Sequence, residues 1–383
     1  MSIAFNWTKF QKAGFFSQNW GRTPCVIRNA LPAGFDGITP EELAGLSLEE
    51  NVESRIVIQH GPQDYELRRG PFTEADYAAL PERNWTLLVQ GVDRLVPAVQ
   101  KLLTAFDFIP WWRLDDVMIS YAVTGGNVGP HYDHYHVFLY QMAGHRRWTL
   151  TSQHCTEDNY LEGVPLRLMK DFPVELEYEV GPGDVLYIPP LWGHHGVALD
   201  DACMTASIGY RSLRAKEIME ALADWLAEQP AGNSLFHDPS WLGLPPGEMD
   251  GRVAQAALAA LRPSLTTPGL DHALAQMMTL PDQAAVELLP EPLEPPATLD
   301  DLPALLRETP VWLRDSVTRM VLTEDGALFV NGSRWETDAS LDFRRWLADH
   351  ILYEDAERWL DTPRDASALL HAINNQWIVP DED

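Results

Sequence analysis

The feature that most constrains the fold is a series of short strand-like runs between the N-terminus and about residue 214. Gly, Pro and Asn residues separate these runs, of which the clearest lie at 117–123, 136–142, 147–151 and 185–188. Many short strands joined by turn residues are typical of a β-sandwich or barrel. We therefore predict a mainly β domain over residues 1–214, with helical stretches at 40–44 and 96–106.

The apolar periodicity changes after residue 214. Ile218, Leu222 and Trp225 recur at helical spacing, and a second run at 252–261 repeats the pattern. These runs predict a helical region over 215–289. Because this region has little core of its own, it would gain from packing on a second copy of the chain. A homodimer is one hypothesis, and packing on the barrel is the other.

A Pro/Glu-rich segment, LPEPLEPP at 289–296, separates the helical region from the C-terminus. Proline is excluded from helix interiors and central strands, so we predict an extended linker over 290–301. A small module of helices and strands follows at 302–383. Within it, runs at 320–322 and 327–330 predict a hairpin.

The sequence GPHYDHYHVFL at 129–139 contains the first part of a candidate metal site. In an extended chain, His131 and Asp133 point to the same face, so they can occupy adjacent positions on one metal ion. A third ligand can follow the strand and Pro-Pro turn at 183–190. His194 and His195 both lie there and point to opposite faces, so the spacing allows either one.

Two histidines and one carboxylate with open positions form the facial site of non-haem Fe(II) oxygenases. The open positions can accept a bidentate 2-oxoacid and O₂. Arg146 is a candidate for the far carboxylate of such an acid, because it shares a strand face with Trp148 and Leu150. A buried guanidinium is costly unless paired, and a carboxylate is its best partner. An internal salt bridge is the alternative.

The chain is strongly acidic, with 28 Lys+Arg against 56 Asp+Glu and a net charge of −28. This charge disfavours binding to nucleic acids and anionic membranes, and it suits either solubility or a basic protein partner. From Asp300 on, eight arginines, no lysine and eighteen acids give −10, which disfavours DNA binding by the C-terminal module.

Cysteine and hydropathy patterns constrain the compartment. Three cysteines without a CxxC pair exclude a disulfide framework and a cysteine zinc site. The N-terminus does not have the pattern of a signal peptide, and no uncharged apolar run is long enough for a membrane helix. We expect a cytoplasmic protein.

The chain resembles the Jumonji-C-type (JmjC) ribosomal oxygenases of bacteria, 2-oxoglutarate/Fe(II) enzymes that hydroxylate an arginine of a large-subunit ribosomal protein. The resemblance covers nearly the full chain. It implies a double-stranded β-helix of the cupin/JmjC type, a helical dimerisation region and a winged-helix-like C-terminal domain. Besides the HYD motif, it rests on NWTLLVQ at 84–90, WRLDDVMIS at 112–120, GDVLYIPP at 183–190 and SIGYR at 207–211.

The resemblance also implies roles for individual residues. His131, Asp133 and His194 match the iron ligands, and this match selects His194 over His195. Arg146 matches the arginine that binds the 2-oxoglutarate carboxylate.

Among the polar groups near the co-substrate, this chain departs from the family at one position. Thr205 lies near a polar active-site position. Where a relative has a serine that helps to hold the co-substrate, this chain has Ala122. Ser120 or Thr124 could compensate for the missing hydroxyl, or the co-substrate could rest mainly on Arg146.

The implied reaction is the hydroxylation of a side chain, foremost an arginine, in a basic ribosomal protein, with Fe(II), 2-oxoglutarate and O₂. The same triad could serve a histidyl hydroxylase or a methyl-lysine demethylase. A non-catalytic metal-binding cupin is a third hypothesis, and the inward Arg146 argues against it. With a ribosomal substrate, the charge of −28 favours substrate attraction.

Overall fold

The computed structural model describes residues 3–7, 11–230, 235, 242–262 and 269–381. The chain forms two compact units, Met1–Ser212 and Leu213–Asp383. The finer division into 1–214, 215–289, 290–301 and 302–383 stays a prediction.

The first unit is rich in strands. Its described helices are α1 (Lys12–Gln18), α2 (Pro40–Leu46), α3 (Glu74–Ala78) and α4 (Pro97–Leu102). Its described strands are β1 (Cys25–Ile27), β2 (Ser54–Gly61), β3 (Asp64–Arg69), β4 (Trp85–Val89), β5 (Leu114–Ala122), β6 (His131–Tyr132), β7 (His136–Ala143), β8 (Arg146–Thr151), β9 (Leu176–Val180), β10 (Val185–Ile188), β11 (Gly193–Ala198) and β12 (Cys203–Tyr210).

These strands form two sheets in which neighbours run antiparallel. The larger has the order β1-β10-β7-β12-β5-β4-β2-β3, and the smaller has the order β6-β11-β8-β9. One apolar cluster joins the sheets: Val137, Leu139, Leu186 and Ile188 from the larger, and Trp148, Leu150 and Val180 from the smaller. The predicted mainly β domain is thereby confirmed as a β-sandwich with an enclosed interior.

Strand β8 shows how alternation directs side chains into that interior. Arg146, Trp148 and Leu150 are buried, whereas Arg147 between them is exposed. Arg147 pairs with Glu179 at 2.8 Å on the neighbouring strand. The period of two therefore separates a solvated arginine from a buried one at adjacent positions.

The second unit combines helices with short strands. Its described helices are α5 (Ala215–Glu228), α6 (Gly251–Leu261), α7 (Gly269–Thr279), α8 (Gln283–Val286), α9 (Leu302–Glu308), α10 (Leu341–Asp349) and α11 (Pro363–Asn374). Its described strands are β13 (Trp312–Arg314), β14 (Met320–Leu322), β15 (Leu328–Val330), β16 (Ser333–Trp335), β17 (Leu352–Tyr353) and β18 (Ile378–Pro380).

The helical segments of this unit differ in how much they bury. Helix α5 buries Ala221 and Leu222, and it contacts α7. Helix α6 has no buried residue, and its Leu258 and Leu261 are 63% and 48% exposed. Most of the apolar surface of α6 therefore faces away from the described part of this chain.

The C-terminal part is a small α+β module. It has two three-stranded sheets, ordered β17-β13-β18 and β14-β15-β16. The predicted hairpin is confirmed, because β14 pairs with β15 and the Thr323 amide donates to the Ala327 carbonyl. Phe343, Trp346, Leu347 and Leu369 belong to its core. Among the helices described, none has the length and apolarity to cross a membrane.

Candidate metal centre and co-substrate cavity

Three potential metal ligands converge where β6 meets β11. His194 stands directly opposite His131 in the antiparallel register, and Asp133 follows β6 by one residue. The Asp133 Oδ2 atom lies 4.0 Å from His131 Nε2 and 3.5 Å from His194 Nε2. One ligand atom from each residue lies within 4.8 Å of the others.

The surrounding backbone orients both imidazoles. His131 Nδ1 lies 3.0 Å from the Gly129 carbonyl, and His194 Nδ1 lies 3.0 Å from the Trp192 carbonyl. A carbonyl only accepts, so each Nδ1 carries the hydrogen and each Nε2 keeps a lone pair. This tautomer leaves both Nε2 atoms available to bind a metal, and such outer hydrogen bonds are typical of metal-binding histidines.

Electrostatics favour the neutral form that a metal requires. Burial, together with the nearby His131, lowers the pKa of His194 to about 4 against the opposing effect of Asp133. His194 is therefore neutral at pH 7 and ready to bind without losing a proton. Two imidazole nitrogens and one carboxylate oxygen suit a divalent transition metal such as Fe(II).

The adjacent His195 points elsewhere. Its Nε2 lies 3.2 Å from Asn127 Oδ1, which accepts a hydrogen bond from it. His194 and His195, which the sequence spacing left open as alternatives for the third ligand, thus have different surroundings. His194 lies beside His131 and Asp133, and His195 belongs to a separate hydrogen-bonding group.

A cavity of about 350 Å³ extends from the three candidate ligands into the interior of the β-sandwich. Gly196 leaves room for the Trp148 ring, since a Cβ there would lie 2.5 Å from that ring. Arg146 lines the same cavity. Leu150 stands opposite His194, and Arg146 lies four residues earlier on β8, or roughly 13 Å along the strand. A long side chain from Arg146 can span part of that distance.

Arg146 is a buried cation without a protein counter-ion. The residue is 3% exposed, and its Nε and Nη2 atoms have no hydrogen-bond partner within the described ranges. No described carboxylate forms a salt bridge with it, so the alternative of an internal salt bridge is not realised. The Trp148 ring lies 5.6 Å from its guanidinium carbon. Such a group suits a ligand carboxylate.

The other polar candidates from the sequence occupy different environments. Ser120 and Thr205 are buried, stand opposite each other in the register and line the cavity. Ala122 instead packs with Ala198 and Cys203. Thr124 donates through its backbone amide and its hydroxyl to Asp201, away from the cavity.

Sequence reasoning did not single out several lining residues. Thr86 comes from β4, and Arg55 comes from β2. Tyr160, Leu166 and Leu168 come from the segment between β8 and β9, where Tyr160 stacks on Tyr132. Alternation shows which residues of a strand share a face. It does not show which distant strand completes the wall.

Comparisons with known proteins agree with this site. Residues 101–218 match the JmjC domain family. The Escherichia coli (strain K12) protein named Ribosomal protein uL16 3-hydroxylase is 33% identical over 386 residues, which cover 97% of each chain. This chain belongs to the bacterial JmjC ribosomal oxygenase family.

Further ribosomal oxygenases support the assignment. A Haemophilus influenzae relative named Probable ribosomal oxygenase is 34% identical over 250 residues, or 65% of this chain and 61% of the relative. The solved structure of YcfD, a ribosomal oxygenase from E. coli, covers 100% of both chains with a TM-score of 0.82 and 28% identity. Another YcfD structure contains cobalt and 2-oxoglutarate. The match confirms the predicted JmjC/cupin fold and the oxygenase class.

Proposed function

We propose that this JmjC oxygenase uses Fe(II), 2-oxoglutarate and O₂ to hydroxylate an arginine side chain of ribosomal protein uL16. The observation that carries the proposal is one cavity that combines the His131, Asp133 and His194 ligand set with the unpartnered Arg146. The E. coli relative, by its name a uL16 3-hydroxylase, supplies the substrate.

The metal role rests on the donor set. His131 and His194 would bind Fe(II) through Nε2 while their Nδ1 atoms remain hydrogen-bonded to carbonyls. Asp133 would supply the carboxylate and offset part of the charge. The proposed metal is iron because this mixed N/O set with open positions suits oxygenase chemistry. The YcfD structure with cobalt concerns that protein and a different ion.

The co-substrate role rests on the opposite end of the cavity. Arg146 would bind the far carboxylate of 2-oxoglutarate, whose 2-oxoacid end would then face the metal ligands. Ser120 and Thr205 add polar surface to the same cavity. We propose both as further contacts of the co-substrate, although their hydroxyls already have protein partners.

Fe(II) held by His131, Asp133 and His194 would supply the chemistry by which O₂ oxidises 2-oxoglutarate to succinate and CO₂, with the second oxygen atom going into a substrate C–H bond. The chain positions the reactants. Its imidazoles remain neutral ligands, Arg146 fixes the co-substrate, and the apolar wall around Trp148 and Leu168 limits access of water. Positioning and exclusion of water are the main contributions of a protein to such chemistry.

We also propose a homodimer formed through the 215–289 region and a cytoplasmic location. The exposed leucines of α6 support the dimer, because the described part of a single chain does not cover them. A substrate on the ribosome supports the location.

The first prediction concerns the product. Purified protein with Fe(II), 2-oxoglutarate, O₂ and uL16 should yield uL16 heavier by one oxygen atom, located on an arginine by fragmentation mass spectrometry. His131→Ala should abolish the product, because a metal ligand is lost. His145→Ala is the matched control, since His145 is exposed and pairs with Asp200.

Two results would contradict this assignment. A uL16 product lighter by one CH2 unit, with formaldehyde released, would indicate a demethylase. Undiminished turnover by His131→Ala would refute the metal centre.

The second prediction concerns the charge of −28. Raising NaCl from about 50 to 200 mM should lower kcat/KM for uL16 several-fold, because salt screens attraction between exposed charges. Sucrose at equal osmolality controls for non-ionic effects. A kcat/KM that does not change with salt would mean that the charge serves solubility alone.

A further inference from the structure

The cavity has three buried serine or threonine side chains in its lining, Thr86, Ser120 and Thr205. The Ser120 hydroxyl donates to the Thr205 carbonyl at 3.4 Å, and the Thr205 hydroxyl donates to Gln141 Oε1 at 3.1 Å. The Thr86 hydroxyl has no partner in the described part of the chain, although the residue is only 1% exposed. Buried hydroxyls are rarely left this way, because losing water without a new hydrogen bond is unfavourable.

The register places Thr86 at the same end of the barrel as Arg146. Thr86 stands opposite Ala122 across β4 and β5, and Ala122 packs with Ala198. Ala198 in turn stands opposite Arg146 across β11 and β8. The metal ligands lie at the other end of β11, where His194 is four residues from Ala198.

The two groups share one chemical property. The Nε and Nη2 atoms of Arg146 and the Thr86 hydroxyl are all buried donors for which the described residues supply no acceptor. A carboxylate has two oxygens with about four lone-pair positions, so it can accept from a guanidinium and a hydroxyl together. Ala122, opposite Thr86, has no hydroxyl to contribute.

We propose that Thr86 donates a hydrogen bond to the ligand carboxylate that Arg146 binds, and so fixes the far end of the co-substrate. This inference rests on the proposed use of 2-oxoglutarate. It shifts the polar contact from Ser120 and Thr205, whose hydroxyls are engaged within the protein, to the neighbouring strand β4 of the larger sheet.

The test compares two ligands and two substitutions by calorimetric titration. Full-length protein is loaded with Mn(II), which prevents turnover, and is titrated with 2-oxoglutarate or with 2-oxobutyrate, which lacks the far carboxylate. Thr86→Val should weaken 2-oxoglutarate binding by about tenfold or more, as expected for loss of a hydrogen bond to a charged group. Thr86→Ser should restore it, and 2-oxobutyrate should bind all forms alike.

A second measurement separates this role from a structural one. Removing a hydroxyl that stabilises the fold lowers the Tm, whereas removing one without a partner does not. The ligand-free Thr86→Val protein should therefore melt at or above the wild-type temperature. Thr86→Ala serves as the second variant if Thr86→Val does not fold, and it should show the same loss for 2-oxoglutarate alone.

The outcomes are distinguishable. Binding of 2-oxoglutarate by Thr86→Val within twofold of the wild type, or equal losses for both ligands, would overturn the role of Thr86 and leave the proposed function intact. A wild-type protein that does not bind 2-oxoglutarate would instead overturn the proposed function and this inference with it.

Discussion

Arg146 and Arg314 are both buried, one in the strand-rich unit and one in the C-terminal module. They are 3% and 5% exposed. The Arg314 Nη2 atom donates to the carbonyls of Leu347 at 3.1 Å and Ala348 at 2.7 Å, which lie in the last turn of α10. Arg146 has two nitrogens without a partner among the described residues and lines a cavity.

The difference lies in where the donors point. At Arg314, a cation satisfies carbonyls that a helix leaves free at its C-terminus, where the helix dipole favours positive charge. His350 also accepts from this guanidinium through its carbonyl, so the interaction is internal to the fold. The Arg146 guanidinium, by contrast, has two nitrogens for which the described residues supply no acceptor. Burial alone therefore does not identify a functional arginine, whereas burial with unsatisfied donors beside a cavity points to a ligand.

The first substitution tests whether Arg146 binds a ligand, and we expect it to have the strongest effect. Arg146→Met should weaken 2-oxoglutarate binding by about 100-fold or more, because truncating one partner of a buried charge pair costs roughly 2–5 kcal/mol. Calorimetric titration with Mn(II) in place of iron measures it. Stability of the ligand-free protein should not fall, since an apolar chain replaces an unpaired buried charge.

The neighbouring Arg147→Met provides the matched control. Arg147 is exposed and pairs with Glu179, so its loss should leave 2-oxoglutarate affinity nearly unchanged. Equal losses in both variants would mean that general charge, and not the cavity, attracts the co-substrate.

The next substitution tests whether Arg314 stabilises the fold of the C-terminal module. Arg314→Met should destabilise the C-terminal module by about 2–4 kcal/mol, because several buried carbonyls lose their donor. Urea denaturation followed by tryptophan fluorescence measures the change, since Trp312 and Trp346 are buried in this module. Arg345→Met on the exposed side of α10 is the control, with an expected change of about 0.5 kcal/mol or less. A weakened affinity for 2-oxoglutarate in Arg314→Met would erase the distinction between the two arginines.

The same two arginines show what the sequence could predict. Alternation correctly assigned Arg146 to the face of Trp148, and it would also assign Arg314 to the face of Trp312. At β8 the exposed Arg147 between Arg146 and Trp148 shows the alternation, whereas at β13 Leu313 is buried as well, so burial does not distinguish the two faces there. Partners come from elements far apart in sequence, such as α10 for Arg314, and no spacing rule encodes them.

The metal site follows the same division. Spacing placed His131 and Asp133 together because they are two residues apart on an extended segment. Spacing alone leaves His194 and His195 as alternatives, and the family resemblance selects His194. The structural reason is the register of β11 on β6, which depends on long-range pairing. The sequence does not predict that Thr86 lines the cavity, because the position of β4 beside the cavity depends on the strand order of the whole larger sheet.

The smallest expected effect extends the comparison to a buried charge of opposite sign. Asp93 is 4% exposed and accepts a hydrogen bond from the Val117 amide at 2.7 Å. Burial, together with the nearby Asp116 carboxylate, raises its pKa to about 7 against the opposing effects of the Val117 hydrogen bond and the charge of Arg94. Like Arg146, Asp93 is buried with incomplete compensation for its charge, but it can release that cost by taking up a proton.

The sign of the pH dependence follows. Because the folded pKa lies above the unfolded value of about 4, the folded state binds more protons between pH 4 and 7. The contribution of Asp93 to the free energy of unfolding is fully present below about pH 4 and is lost as the pH rises through 7. Asp93→Asn, which keeps the acceptor and removes the charge, should flatten that part of the profile and gain of the order of 1–2 kcal/mol at pH 8 relative to wild type. Urea denaturation from pH 5 to 8 tests this, and an unchanged slope in Asp93→Asn would show that Asp93 does not titrate there.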